Sequence, residues 1–101
     1  MKDDFMWATI DRHPAACVAW YLCASFLYYH CDISVLSDGA FDELSNWMLR
    51  NWEKWQDHPH SSYVSKEDLK AGTCLMGWDD FPNITIGAAG RLAERVTKEM
   101  D

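Results

Sequence analysis

From Ala15 to Tyr29 the chain is apolar at every position except Ser25, and the helix it implies runs to about Cys31, where the stretch ends at His30-Cys31-Asp32. An apolar run with no polar face predicts a helix buried on most sides. Pro14 suits its first turn, where a missing N–H costs nothing, with Asp11 or His13 as the cap. Upstream, residues 1–13 read as a lead-in with one short apolar turn, Phe5-Met6-Trp7. Downstream, residues 32–36 read as a short extended connection, and Ser37 is a good N-cap. The next pattern is different in kind. Phe41, Leu44, Met48, Trp52 and Trp55 are spaced three, four, four and three apart, a single stripe that predicts a one-sided helix from Asp38 to about Gln56. Asp38 and Asp42 are expected in its first turn, where carboxylates complement the helix dipole. His58-Pro59-His60 closes it.

The remainder is more broken. Ser61–Val64 reads as loop, and Ser65-Lys66-Glu67-Asp68 resembles a capping box opening a short helix that stops near Gly72. Residues 77–83 carry turn chemistry throughout. Ile84-Thr85-Ile86 could begin a strand or a helix. From Gly87 the spacing of Ala89, Leu92, Ala93, Val96 and Met100 is helical, and Gly87 and Gly90, each costing up to ~1 kcal/mol relative to alanine, suggest a close helix crossing. The expected architecture is all-α: a helical hairpin over 14–59, then a short third helix, a loop and a C-terminal helix packed across it over 60–101. With 101 residues and no linker or internal repeat, 1–101 forms a single domain.

Charge narrows the function. Sixteen acidic against nine basic residues give a net charge of -7, which disfavours direct nucleic-acid binding. No apolar run reaches the ~20 residues of a spanning helix, and the opening Met1-Lys2-Asp3-Asp4 lacks the positive start of a signal peptide. A cytoplasmic location without membrane contact is therefore expected. Cys17, Cys23, Cys31 and Cys74 show no Cys-x-x-Cys spacing and read as reduced thiols used as small apolar fillers.

The segment from Tyr28 to Leu44 carries the best candidate chemistry. It places two tyrosines at the end of one helix and two carboxylates, four residues apart, at the start of the next. In an antiparallel hairpin these ends meet. A planar cationic or amide-bearing ligand could stack on the rings while the aspartates hold its polar edge. In the simpler account the aspartates only complement the dipole and the tyrosines only fill the core.

From Leu22 to Pro59 the chain resembles the small N-terminal helical domain that precedes the adenylation domain of NAD-dependent DNA ligases. The resemblance rests on Tyr28-Tyr29, on Ser37-Asp38-Gly39-Ala40-Phe41-Asp42-Glu43-Leu44 and on His58-Pro59. That domain recognises the nicotinamide mononucleotide half of NAD. The resemblance implies a cofactor-binding set of Tyr28, Tyr29, Asp38, Phe41 and Asp42. Tyr29 stands where the family has histidine, with His30 adjacent, and Phe41 keeps the ring of a family tyrosine without its hydroxyl. The ligase nucleophile, a lysine in a Lys-x-Asp-Gly setting, is absent, so the expectation is a non-catalytic, free-standing relative of an accessory domain. By analogy, such a small version suits a viral or mobile-element protein. No cofactor is required, and NAD or nicotinamide mononucleotide is the implied ligand.

Other patterns are weaker. His58 and His60, with His30, Cys31 and Asp57, match no structural zinc spacing, so no metal is expected. Cys31 and His30 project in different directions from a helix and make a poor nucleophile pair. Gly87-Ala88-Ala89-Gly90-Arg91 could cradle phosphate at a helix start, though without a preceding strand packing accounts for it better. Trp47 lies off the apolar stripe, and is either a protein-contact anchor or covered by the C-terminal helix. The alternative function is an acidic protein that binds and inhibits a nucleic-acid-handling or defence protein by presenting carboxylates in place of phosphates. A hydrolase acting through Asp38 and Asp42 would need two carboxylates of split pKa, which nothing in the pattern provides.

Overall fold

Residues 16–31 present apolar side chains on every face, and the other elements surround them. The computed structural model describes residues 2–71, 74 and 76–100, with side chains through Arg95. It contains five α-helices: α1 (Asp3–Arg12), α2 (Ala16–Cys31), α3 (Asp38–Arg50), α4 (Lys66–Ala71) and α5 (Asn83–Met100). Short 3-10 turns lie at Trp52–Lys54, Ser61–Tyr63 and Trp78–Asp80, and no strand occurs among the described residues. The protein is all-α.

Ten residues of α2 are buried, Cys17, Val18 and the unbroken run Trp20 to Leu27. At ~1.5–3 kcal/mol for each fully buried large apolar side chain, this helix makes the leading favourable contribution to the fold. α5 packs on it most extensively, α1 and α3 take other faces, and α4 packs on α3. The C-terminal helix thus makes its main contact with one arm of the hairpin. The radius of gyration is 12.6 Å, against ~13 Å for a single domain of about 100 residues.

The N-terminal lead-in is a helix. Asp3 and Asp4 complement the positive end of α1, Arg12 sits at the other end, and Met6 and Ile10, one turn apart, are buried. Only one and a half turns of apolar spacing mark it. Neither Asp11 nor His13 caps α2 with its side chain. Instead the His13 and Pro14 carbonyls accept from the Ala16 and Cys17 amides at 2.8 and 3.2 Å, a tight turn that Pro14 pre-sets.

α3 stops at Arg50, six residues short of the expected Gln56. Asn51 ends it by turning its side-chain amide onto the Trp47 carbonyl at 2.8 Å, beside its own backbone N–H bond to the same oxygen. The apolar stripe continues across the break because the 3-10 turn nearly preserves the spacing. Trp55 is buried, donates its indole N–H to the Met48 carbonyl at 2.8 Å, and meets Trp52 edge-on at 4.4 Å between ring centres.

Ser65 caps α4, accepting from the Asp68 amide at 3.4 Å; the expected stop at Gly72 lies outside the described residues. The Gly77 amide donates to Asp80 Oδ2 at 2.8 Å, closing the turn before α5. Ile84-Thr85-Ile86 is helical. Gly87 and Gly90 do not make a close crossing: an added Cβ at Gly90 meets nothing within 4 Å, and at Gly87 only the Arg91 guanidinium at 3.9 Å. Thr85 and Ala89 are the α5 residues buried at this level, and the Cys23 thiol donates weakly to the Thr85 carbonyl at 3.8 Å. The Val96 and Met100 side chains lie outside the described ones.

Candidate functional site

The turn between α2 and α3 brings the helix ends together. Asp32 leaves α2 in the left-handed conformation, φ 55°, a region that aspartate tolerates better than most residues. The Ile33 amide then folds back to the Leu27 carbonyl at 2.9 Å. Val35 and Leu36 plug into the core, and the Val35 carbonyl accepts from the Lys2 amide at 2.8 Å. Ser37 caps α3 as expected, its Oγ accepting from the Ala40 amide at 3.1 Å.

The result is a cavity of about 240 Å³, lined by Tyr28, Tyr29, Asp38, Phe41 and Asp42, the five residues singled out in the sequence. Ala24, Ser34, Val35 and Leu36 complete the wall. Tyr28 and Tyr29 meet edge-to-face at 4.9 Å and are 51% and 42% exposed. Phe41 is half-buried and stacks on the buried ring of Tyr21 at 5.7 Å, which fixes its orientation. Asp38 and Asp42, one turn apart on α3, are both exposed.

Electrostatically the cavity favours a cation. Two carboxylates line it and, among the described residues, no lysine or arginine does. Partial burial raises the Tyr29 hydroxyl above its ordinary value, opposed by a hydrogen bond with the Cys74 backbone, so at neutral pH Tyr29 is an uncharged phenol. A flat cation could lie against the rings, where cation–π attraction reaches ~0.5–2 kcal/mol, with the carboxylates at its edge.

His30 does not join this wall. Its Nε2 lies 2.9 Å from the Met76 carbonyl, and its ring packs among Phe26, Trp78 and Phe81. It therefore lies outside the cavity that Tyr28 and Tyr29 line. His58 and His60 face each other, rings 5.6 Å apart, with the His60 amide donating to His58 Nδ1 at 3.0 Å. Among the described residues no three His, Cys, Asp or Glu side chains gather as a metal site. Gly87 falls in the second turn of α5, so the glycine pair does not open the helix as a phosphate cradle would. Trp47 is half-buried, and among the described residues Trp7 of α1 shares its cavity. With Trp7, Glu43 and Arg50 it lines a cavity of about 410 Å³.

Sequence reasoning passed over Ala24, Ser34, Val35 and Leu36. The readable signal was the apolar Val35-Leu36 pair inside a connection, since exposed loops seldom carry two adjacent aliphatic residues. No family model, curated protein or solved structure matches the chain. Among the described residues no helix is long and apolar enough to cross a membrane.

Proposed function

We propose that the protein is a non-catalytic binding module whose cavity between α2 and α3 takes the nicotinamide end of a nicotinamide nucleotide. The single observation that supports this is the convergence of Tyr28, Tyr29, Asp38, Phe41 and Asp42 on one cavity of about 240 Å³. Drug-sized ligands occupy ~300–1,000 Å³. A cavity below that range suits one heteroaromatic ring and its sugar, and leaves the rest of a dinucleotide outside. The pyridinium of nicotinamide mononucleotide is flat and cationic, its carboxamide can donate to a carboxylate, and its phosphate would project away from Asp38 and Asp42. The absence of the second family hydroxyl at Phe41 removes a hydrogen bond of ~0.5–1.5 kcal/mol and leaves stacking intact.

Calorimetric titration of the full chain with nicotinamide mononucleotide and with NAD tests the reading. Saturable heat that disappears in Asp38→Ala is expected, with the mononucleotide bound at least as tightly as the dinucleotide. Absence of heat from both ligands removes the proposal.

A second reading, a protein-binding role, is favoured by one observation: half-buried Trp7 and Trp47 line one cavity together with Glu43 and Arg50, and tryptophan and arginine are enriched among interface anchors. Exposed Asp38, Asp42 and Glu43 on the same helix would present carboxylates to a basic partner. Capture from extract by the wild type, and loss of capture in Trp47→Ala and at moderate salt, is the expected outcome of that reading; capture that survives both excludes it.

A further inference from the structure

Between α2 and α5 lies a second groove, of the reverse electrostatic character. Trp20, Cys23, Ala88 and Leu92 supply apolar walls where α2 meets α5, and Phe5 of α1 adds a ring that is 56% exposed. Arg91 and Arg95 stand at the edge, four residues apart and therefore on one face of α5. Among the described residues no carboxylate is part of the lining; Glu94, between the two arginines in sequence, is exposed and outside it. In a chain of net charge -7 this pairs two of the nine basic residues over an apolar surface.

We infer that this groove binds a small carboxylate with an apolar tail, of the medium-chain fatty acid class. The argument is charge and shape. Its apolar walls and its volume of about 240 Å³ suit a short alkyl tail. Guanidinium groups take a carboxylate through paired N–H donors, which a point charge cannot do. A cationic amphiphile of the same length meets two like charges, and a neutral one leaves both guanidinium groups without a new partner. The Cys23 thiol does not compete for the arginines. Burial pushes it up to about 11, against a smaller opposing pull from Arg91, so it remains neutral and acts as part of the apolar floor.

Octanoate titrated into isotope-labelled full-length protein, followed by amide chemical shifts, tests the site. Saturable shifts are expected at Cys23, Ala88 and Leu92, with octylamine and the Arg91→Gln/Arg95→Gln double variant each at least about tenfold weaker. Both arginines are exposed, so the double variant should keep the native circular dichroism and urea midpoint, which are measured alongside. No saturable shift by about 10 mM octanoate, equal affinity for octylamine, or undiminished affinity in the folded double variant each overturns the inference.

Discussion

Asp3, at the first turn of α1, accepts two hydrogen bonds from Ser37, the residue that caps α3: the amide reaches Oδ1 at 2.9 Å and the hydroxyl reaches Oδ2 at 2.6 Å. Ser37 passes the interaction on, its Oγ accepting from the Ala40 amide. The N-terminal helix and the candidate site are thus joined through one side chain. Ser37→Ala is expected to cost ~1 kcal/mol for the lost cap, and Asp3→Ala ~1–3 kcal/mol for two charge-assisted bonds. The double variant should cost less than the sum by ~0.5 kcal/mol or more. Urea unfolding of the four proteins measures this, and strictly additive costs would show that the two residues act independently.

Gly90 is the clearest stabilising position. It lies inside α5, is exposed, and leaves open space where a Cβ would go. Gly90→Ala should raise stability by ~0.4–1 kcal/mol, chiefly by restricting the unfolded chain. Thermal melting reads it; a lower midpoint would mean that the glycine serves a contact or conformation not described above.

His58 gives the fold a pH dependence of definite sign. Burial, and then the neighbouring charge of His60, hold its pKa below the ordinary 6.5. Below pH 6.5 the unfolded state therefore takes up the proton first. The stability owed to the neutral ring is complete above that pH and is lost as pH falls through the lowered native value. His58→Asn keeps a side-chain acceptor for the His60 amide while removing the titration. Urea midpoints at about pH 7.5 and about pH 5.5 should differ less in the variant than in the wild type; equal losses in both proteins would assign the pH effect elsewhere.

The four thiols should separate by reactivity. Burial pushes Cys17 up to about 12 and Cys23 to about 11, and Cys74 is buried, whereas Cys31 is half-buried at the end of α2. A disulfide-exchange reagent should label one thiol quickly in the native protein, and Cys31→Ser should remove that fast phase. The other three should react only as urea unfolds the chain. Two or more fast thiols in the native state would contradict the described burial.

How legible the protein was in its sequence depended on pattern length. α2 could be read because its apolar run is long and featureless, and the hairpin ends because Tyr28-Tyr29 and Asp38-Asp42 flank a connection too short to separate them. α1 escaped because Met6 and Ile10 make a single helical repeat among charged neighbours. The stripe of α3 concealed its end, since a 3-10 turn carries Trp52 and Trp55 onward at nearly the same spacing while Asn51 takes over the backbone bond. Gly87 and Gly90 misled for a different reason: composition reveals a missing side chain and not the direction in which it is missing. The bonds from Asp3 to Ser37 span 34 positions and leave no local trace.

Because α2 is greasy all round, the protein resists division. A fragment of residues 14–59 would contain every wall of the cavity between α2 and α3, yet it would bare Phe26, which rests on Phe81, and Cys23, which faces Thr85. Such a piece would self-associate through that uncovered flank before it met any ligand. Trimming from the C-terminal side is accordingly a poor route to a minimal version, and an outwardly polar replacement for α5 would be needed before the hairpin could exist alone.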